Sequence, residues 1–129
     1  MLHFKKNLHL IVSVVTVMPA AIVYGSPKLL PEYLNINVSN IDTLNMLKAI
    51  MCLYIVFSVV WVLGIVSSNC WKFATQLNIL FMLSLGIGRV LSTCTDGFSG
   101  KLYIFGMIAE LAIGGYAWYQ LKNKPLNLP

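Results

Sequence analysis

Four long apolar segments constrain the fold of this chain more than any other feature of its sequence. They run from about residue 8 to 24, 44 to 66, 73 to 95 and 102 to 121. Each is close to the roughly 20 residues that an α-helix needs to cross about 30 Å of bilayer hydrocarbon. A spanning segment must satisfy its own backbone hydrogen bonds, so the expected class is all-α. We therefore predict an integral membrane four-helix antiparallel bundle, with residues 1–129 forming a single domain.

The composition supports a membrane protein. The 129 residues are 58% hydrophobic and only 10% charged, whereas soluble domains carry about 25% charged residues. The formal net charge is +5, but the basic residues lie mainly at segment ends, where they orient spanning helices. We therefore expect the lipid bilayer as a partner and no nucleic acid.

The placement of lysines predicts the orientation. With both termini in the cytoplasm, the inner side carries five lysines and the outer loops carry two. This asymmetry follows the positive-inside rule and predicts a multi-pass membrane protein with both termini on the cytoplasmic side. The inner lysines are Lys5, Lys6, Lys72, Lys122 and Lys124, and the outer ones are Lys28 and Lys101.

The first segment also has features of a cleaved signal peptide. Lys5 and Lys6 precede an apolar run, and residues 23–25 could form a cleavage site. The preferred interpretation is a retained first helix kinked at Pro19, because neighbouring helices can satisfy the carbonyl that proline frees. Cleavage stays open as an alternative.

The connection between the first two segments is long and unusually apolar. Residues 25–42 contain Pro27 and Pro31, which interrupt regular structure. They also contain six apolar residues, too many for a freely solvated loop. We expect an amphipathic outer loop that lies on the membrane surface and partly covers the bundle.

Three ionisable residues, Lys48, Arg89 and Glu110, lie inside apolar segments. At about 1.5 Å per residue, they lie about 8 to 13 Å from the outer ends of their helices. An isolated charge at mid-membrane costs about 2.5–3.5 kcal/mol on insertion scales, so pairing is expected. We predict a charged pocket in the outer half of the bundle, with Arg89 contacting Glu110. The predicted binding set is Lys48, Arg89, Glu110, Asp96, Asn45 and Ser92.

The helical spacing of small and polar residues predicts which faces point inward. Small residues let neighbouring helices approach closely and leave room for long side chains. Three stripes at helical spacing are therefore expected to face the interior. They are Gly106–Glu110–Gly114, Ser84–Gly88–Ser92, and Asn45–Lys48–Cys52.

A purely structural role for these charges stays open. Lys48 and Arg89 could extend to the outer headgroups, since each lies within two turns of the surface. Glu110 could be neutralised by protonation, or the ion pairs could exist without any ligand.

No motif indicates a cofactor or a metal. Residues 86–88 begin like a dinucleotide fingerprint but lack the third glycine and the surrounding βαβ unit. His3 and His9 are six residues apart, without the spacing or the companions of a metal site. The three cysteines, Cys52, Cys70 and Cys94, are interpreted as small apolar packing residues.

Several motifs together resemble a known group of proteins. They are Asn45–Tyr54 (NMLKAIMCLY), the pattern GxGRxxSxxxDG at residues 86–97, and Glu110. The chain resembles small four-span bacterial inner-membrane proteins of unknown function, broadly DoxX-like, over about residues 8 to 121. That resemblance implies four spans and a bacterial inner membrane, and it implies no settled activity. Lys48 stands where the group usually has arginine, which weakens bidentate anion binding there.

Three functions stay open at this point. The preferred one is a non-enzymatic accessory or binding protein that holds an anionic or amphipathic small molecule, or a partner protein, in the charged pocket. One alternative is an oligomeric small-molecule or proton-coupled transporter, because an intramembrane carboxylate is typical of proton relays. The other is a membrane enzyme or redox-complex subunit acting on lipid or quinone. A larger membrane complex or a homo-oligomer is an expected partner.

Overall fold

The computed structural model describes residues 2–123, with side chains from Lys6 onward. Lys124 lies outside the described residues, as does the side chain of Lys5. Of the five predicted inner lysines, the structure therefore describes the side chains of Lys6, Lys72 and Lys122. Within the described residues the chain forms helices and no strand. The helices are α1 (Leu2–Gly25), α2 (Leu29–Leu34), α3 (Ile41–Val66), α4 (Ser68–Asp96) and α5 (Lys101–Asn123).

Four of these helices are long and apolar enough to cross a membrane. Their spanning parts contain the four predicted apolar segments completely, and the predicted all-α helical bundle is confirmed. The helices extend beyond the apolar segments because polar residues at their ends continue the same backbone hydrogen bonding. The candidate spans are Lys6–Gly25, Ile41–Val66, Ser68–Asp96 and Lys101–Asn123.

The helices pack in an open ring. α1 packs extensively on α3, α3 on α4 and α4 on α5, whereas α1 and α5 meet over only a short stretch. Aromatic rings fill the centre, where Phe81 lies 5.2 Å from Tyr54 and 5.2 Å from Trp61 between ring centroids. The weak α1–α5 contact leaves a gap on one side of the bundle.

Helices α4 and α5 pack together through two reciprocal contacts. A Cβ built on Gly86 would lie 2.6 Å from Leu111 Cδ2, and one on Gly114 would lie 2.7 Å from Leu83 Cδ2. Each leucine therefore occupies the space that a glycine of the other helix leaves open. This packing fixes the rotation of α5 relative to α4.

The connection between α1 and α3 forms a short helix that packs on the bundle. In α2, Leu30 is completely buried while Tyr33 is exposed. Asn35 ends the helix with a left-handed backbone (φ 56°), and its N–H donates to the carbonyl of Leu30. The hydroxyl of Tyr103 on α5 donates to the carbonyl of Leu34 at 3.3 Å. α2 is thus held beside α1 and α5.

Candidate functional site

The gap between α1 and α5 is a cavity of about 610 Å³. α1 and α5 form its two sides, α2 lies against it, and side chains from α3 and α4 also line it. Most of its lining is apolar. Its polar side chains are Thr16, Tyr24, Tyr33, Tyr54, Arg89, Tyr103 and Glu110.

Arg89 and Glu110 meet at this cavity. Arg89 Nε donates to Glu110 Oε2 at 2.9 Å, and the two side chains are 26% and 13% exposed. The reciprocal glycine contacts below this level hold α4 and α5 close enough for the two side chains to meet directly. The sequence analysis placed these two residues together, on consecutive helices at similar depth.

The ion pair leaves part of the guanidinium available. Nε makes the only hydrogen bond of this side chain within residues 2–123, so both terminal nitrogens keep unused N–H donors. Arg89 Cζ lies over the ring of Tyr103, 5.5 Å from the ring centroid, in a cation–π contact. Beside the terminal nitrogens lies Gly106, where a Cβ would be 4.0 Å from Nη2. A ligand in the cavity could therefore reach donors that the protein leaves unpaired.

Two aromatic hydroxyl-bearing side chains lie at the junction of α1 and α3. The rings of Tyr24 and Tyr54 are 5.5 Å apart in an edge-to-face arrangement. Both line the cavity, and Tyr54 is buried. They provide amphipathic surface, with an apolar ring and a polar tip, on the α1–α3 side of the cavity.

Lys48 and Asn45 do not join the site, and the prediction that they face inward was wrong. Both are exposed on α3, and neither lines the cavity. The inward face of α3 instead carries Leu47, Tyr54 and Trp61, spaced seven residues apart. Lys48 follows Leu47 directly and is therefore rotated by about 100° away from that face.

The predictions for Ser92 and Asp96 also fail. Both are exposed, and Ser92 Oγ donates to Asp96 Oδ2 at 3.0 Å within α4 instead of reaching Arg89. The whole stripe Ser84–Gly88–Ser92 is exposed, so it does not mediate helix contact. Of the four charged residues in the predicted binding set, only Arg89 and Glu110 form an ion pair in the described part of the chain.

The sequence analysis missed a buried polar cluster between α1 and α4. His9 Nε2 lies 3.0 Å from Thr75 Oγ1, and Asn78 Nδ2 donates to Ser13 Oγ at 2.7 Å. All four side chains are at most 1% exposed. The signal was present: His9 and Ser13 are four residues apart on one helix, and Thr75 and Asn78 are three apart on the facing helix.

The cysteines are free and exposed, so their interpretation as packing residues was wrong. Cys52 lies on the outward face of α3 together with Lys48. Within residues 2–123, no group of three or more His, Cys, Asp or Glu side chains is placed to hold a metal ion.

Comparisons with known proteins give a family and no activity. No curated protein and no solved structure matches the chain. A family described as a domain of unknown function, DUF4345, matches residues 5–121, which include three candidate spans, all but the last two residues of the fourth, and both members of the ion pair. The chain therefore belongs to the DUF4345 family.

Proposed function

We propose that this protein is a non-enzymatic membrane protein that binds an amphipathic small molecule between α1 and α5. One observation carries the proposal: a largely apolar cavity of about 610 Å³ contains an ion pair whose arginine retains unused N–H donors. Ligand sites are typically apolar clefts of about 300–1,000 Å³ with a few polar groups that orient the ligand. Arg89 and Glu110 would bind the polar end, and the apolar lining would bind the chain.

The chemistry of the lining favours binding over catalysis. Its described polar groups are hydroxyls, one guanidinium and one carboxylate. Among these residues no hydroxyl is paired with a histidine or another base that could activate it as a nucleophile. The Thr16 hydroxyl donates to the carbonyl of Val12 in its own helix.

Photo-cross-linking of single-chain amphiphiles tests the proposal. Two probes share one long saturated chain with a diazirine at its middle; one ends in a methyl ester and the other in a sulfonate. The protein is reconstituted in liposomes, irradiated with each probe and digested. We expect at least one probe to label residues that line the cavity, including those of α1 and α5.

A matched pair of variants separates the cavity from the lipid-facing surface. Ala109 lines the cavity, whereas Ala112 on the same helix is exposed. Ala109→Phe should remove most cavity labelling because the ring fills the space, and Ala112→Phe should leave it unchanged. Equal labelling of both variants, or labelling spread over the outer surface alone, would overturn the proposal.

The cellular setting is part of the same proposal. We propose a bacterial inner membrane, as the family resemblance implies, with both termini in the cytoplasm, an orientation that the distribution of lysines supports. The DoxX-like resemblance supports the same setting through residues 86–97 and Glu110. We also propose assembly into a homo-oligomer or a larger membrane complex, because the four spanning helices leave the cavity open on the α1–α5 side.

A further inference from the structure

The charges that line the cavity sum to zero. Arg89 is the only cation and Glu110 the only anion among the described lining residues. Lys48, which could have supplied a second positive charge, is exposed on α3 outside the cavity. The cavity therefore offers no net positive charge to balance an anionic ligand.

The zero net charge of the cavity lining restricts the charge that a bound headgroup can carry. An anionic headgroup beside Arg89 would lie near Glu110 as well, and the three groups together would carry a net negative charge in a poorly solvated space. A cationic headgroup would leave a net positive charge in the same way. Uncompensated charge in such a space is costly. An uncharged headgroup avoids both penalties.

The unused donors require an acceptor. Each terminal nitrogen of Arg89 carries N–H groups without a partner within residues 2–123, and donors that face a largely apolar cavity gain from a hydrogen bond. The N–H groups of a guanidinium lie in its plane, so hydrogen bonds form at its edge, beside Gly106, which has no side chain to occupy that space. A carbonyl oxygen is an uncharged acceptor that fits this edge.

We propose that the ligand is an uncharged long-chain carbonyl compound, such as a fatty-acid ester, whose carbonyl oxygen accepts hydrogen bonds from the terminal nitrogens of Arg89. This inference rests on the proposed binding function and narrows its ligand class. Of the anionic and amphipathic ligands expected from the sequence, it selects an uncharged amphipathic one, because Lys48 lies outside the cavity.

The ester and sulfonate probes test the headgroup directly, together with a third probe that has the same chain and no polar group. For the unmodified protein at equal probe amounts, the ester should label the cavity about tenfold more than the sulfonate. The hydrocarbon probe should also label it less than the ester, because it gives the Arg89 donors no acceptor.

Substitution of Glu110 should invert this selectivity. Glu110→Gln keeps an oxygen that can accept from Arg89 Nε but gives the site a net positive charge. The sulfonate should then label the cavity more than the ester. The double variant Arg89→Gln/Glu110→Gln is again net neutral and should not favour the sulfonate. The control Asp96→Asn removes an exposed carboxylate outside the cavity and should leave the ester preference unchanged.

The outcomes separate this inference from the proposed function. Absence of cavity labelling by every probe contradicts the binding function itself. Cavity labelling in which the sulfonate equals or exceeds the ester in the unmodified protein overturns the uncharged ligand class while binding stands. The same conclusion follows if Glu110→Gln folds normally and leaves the selectivity unaltered.

Discussion

The three charged residues inside the apolar segments do not share one environment in the folded protein. The sequence shows that Arg89 and Glu110 lie at similar depth on consecutive helices, and they are in contact. The same argument from depth placed Lys48 with them, but Lys48 is exposed. Depth follows from counting residues, whereas the direction of a side chain depends on helix rotation. That rotation is set by packing at residues such as Leu47 and Trp61.

Replacing one member of the ion pair should destabilise the protein, and the effects of the two single substitutions should not be additive. Arg89→Met leaves the Glu110 carboxylate poorly solvated, and Glu110→Leu does the same to the guanidinium. Each single variant should lose about 1–3 kcal/mol of unfolding free energy, and the double variant should lose less than the sum. Unfolding in mixed micelles with increasing SDS measures this, and additive losses would contradict it.

The buried hydroxyl of Thr75 should contribute to stability through His9. Thr75→Val is nearly isosteric but leaves His9 Nε2 without its partner, at a cost of about 1 kcal/mol. Thr95 provides the control, because its exposed hydroxyl donates only to carbonyl oxygens of its own helix. Thr95→Val should change stability by less than about 0.5 kcal/mol in the same SDS titration. Equal effects of the two substitutions would show that the α1–α4 hydrogen bond is not stabilising.

At the scale of helices, the apolar segments were sufficient to predict where the spans lie. Spans need about 20 apolar residues, and this requirement is visible in any single sequence. The short helix α2 was predicted only as an amphipathic loop, since its Pro31 and mixed composition suit either structure. Helix contacts were predicted less well. Small residues occur on two faces of α4, and only the face containing Gly86 meets α5.

A methyl group at Gly114 should push α4 and α5 apart. Its Cβ would lie 2.7 Å from Leu83 Cδ2, so Gly114→Ala should lower stability by about 1–3 kcal/mol. The adjacent Gly115 has no atom within 4 Å of its Cβ position. Gly115→Ala should be neutral or slightly stabilising, because alanine favours helix over glycine. Thermal unfolding in detergent compares the two, and a neutral Gly114→Ala would show that this contact can relax.

At the scale of the whole molecule, the sequence did not reveal which helices would be separated. Short connections such as Ser67 between α3 and α4 predict neighbouring helices, and these neighbours are in contact. Whether the first and last spans close the ring depends on side-chain volume along both helices. In this chain they stay apart over much of their length, and that gap produces the cavity.

The native cysteines can test the orientation of the bundle. Cys70 and Cys94 are exposed near opposite ends of α4, separated by about 36 Å along the helix. With both termini cytoplasmic, a membrane-impermeant maleimide added to intact cells should label a variant that retains only Cys94. A variant that retains only Cys70 should require permeabilised cells. The reverse pattern would show that the orientation inferred from the lysines is wrong.

The mouth of the cavity is bordered by Ile22 and Phe105, which are 63% and 71% exposed. On spanning helices such side chains touch acyl chains, so a guest can arrive by sideways diffusion within the leaflet. The bilayer, not the buffer, is then the reservoir that supplies it. Occupancy of the cavity should follow the mole fraction of ligand among the lipids. Adding lipid at a fixed amount of ligand should lower the occupancy, whereas diluting the sample with buffer should not.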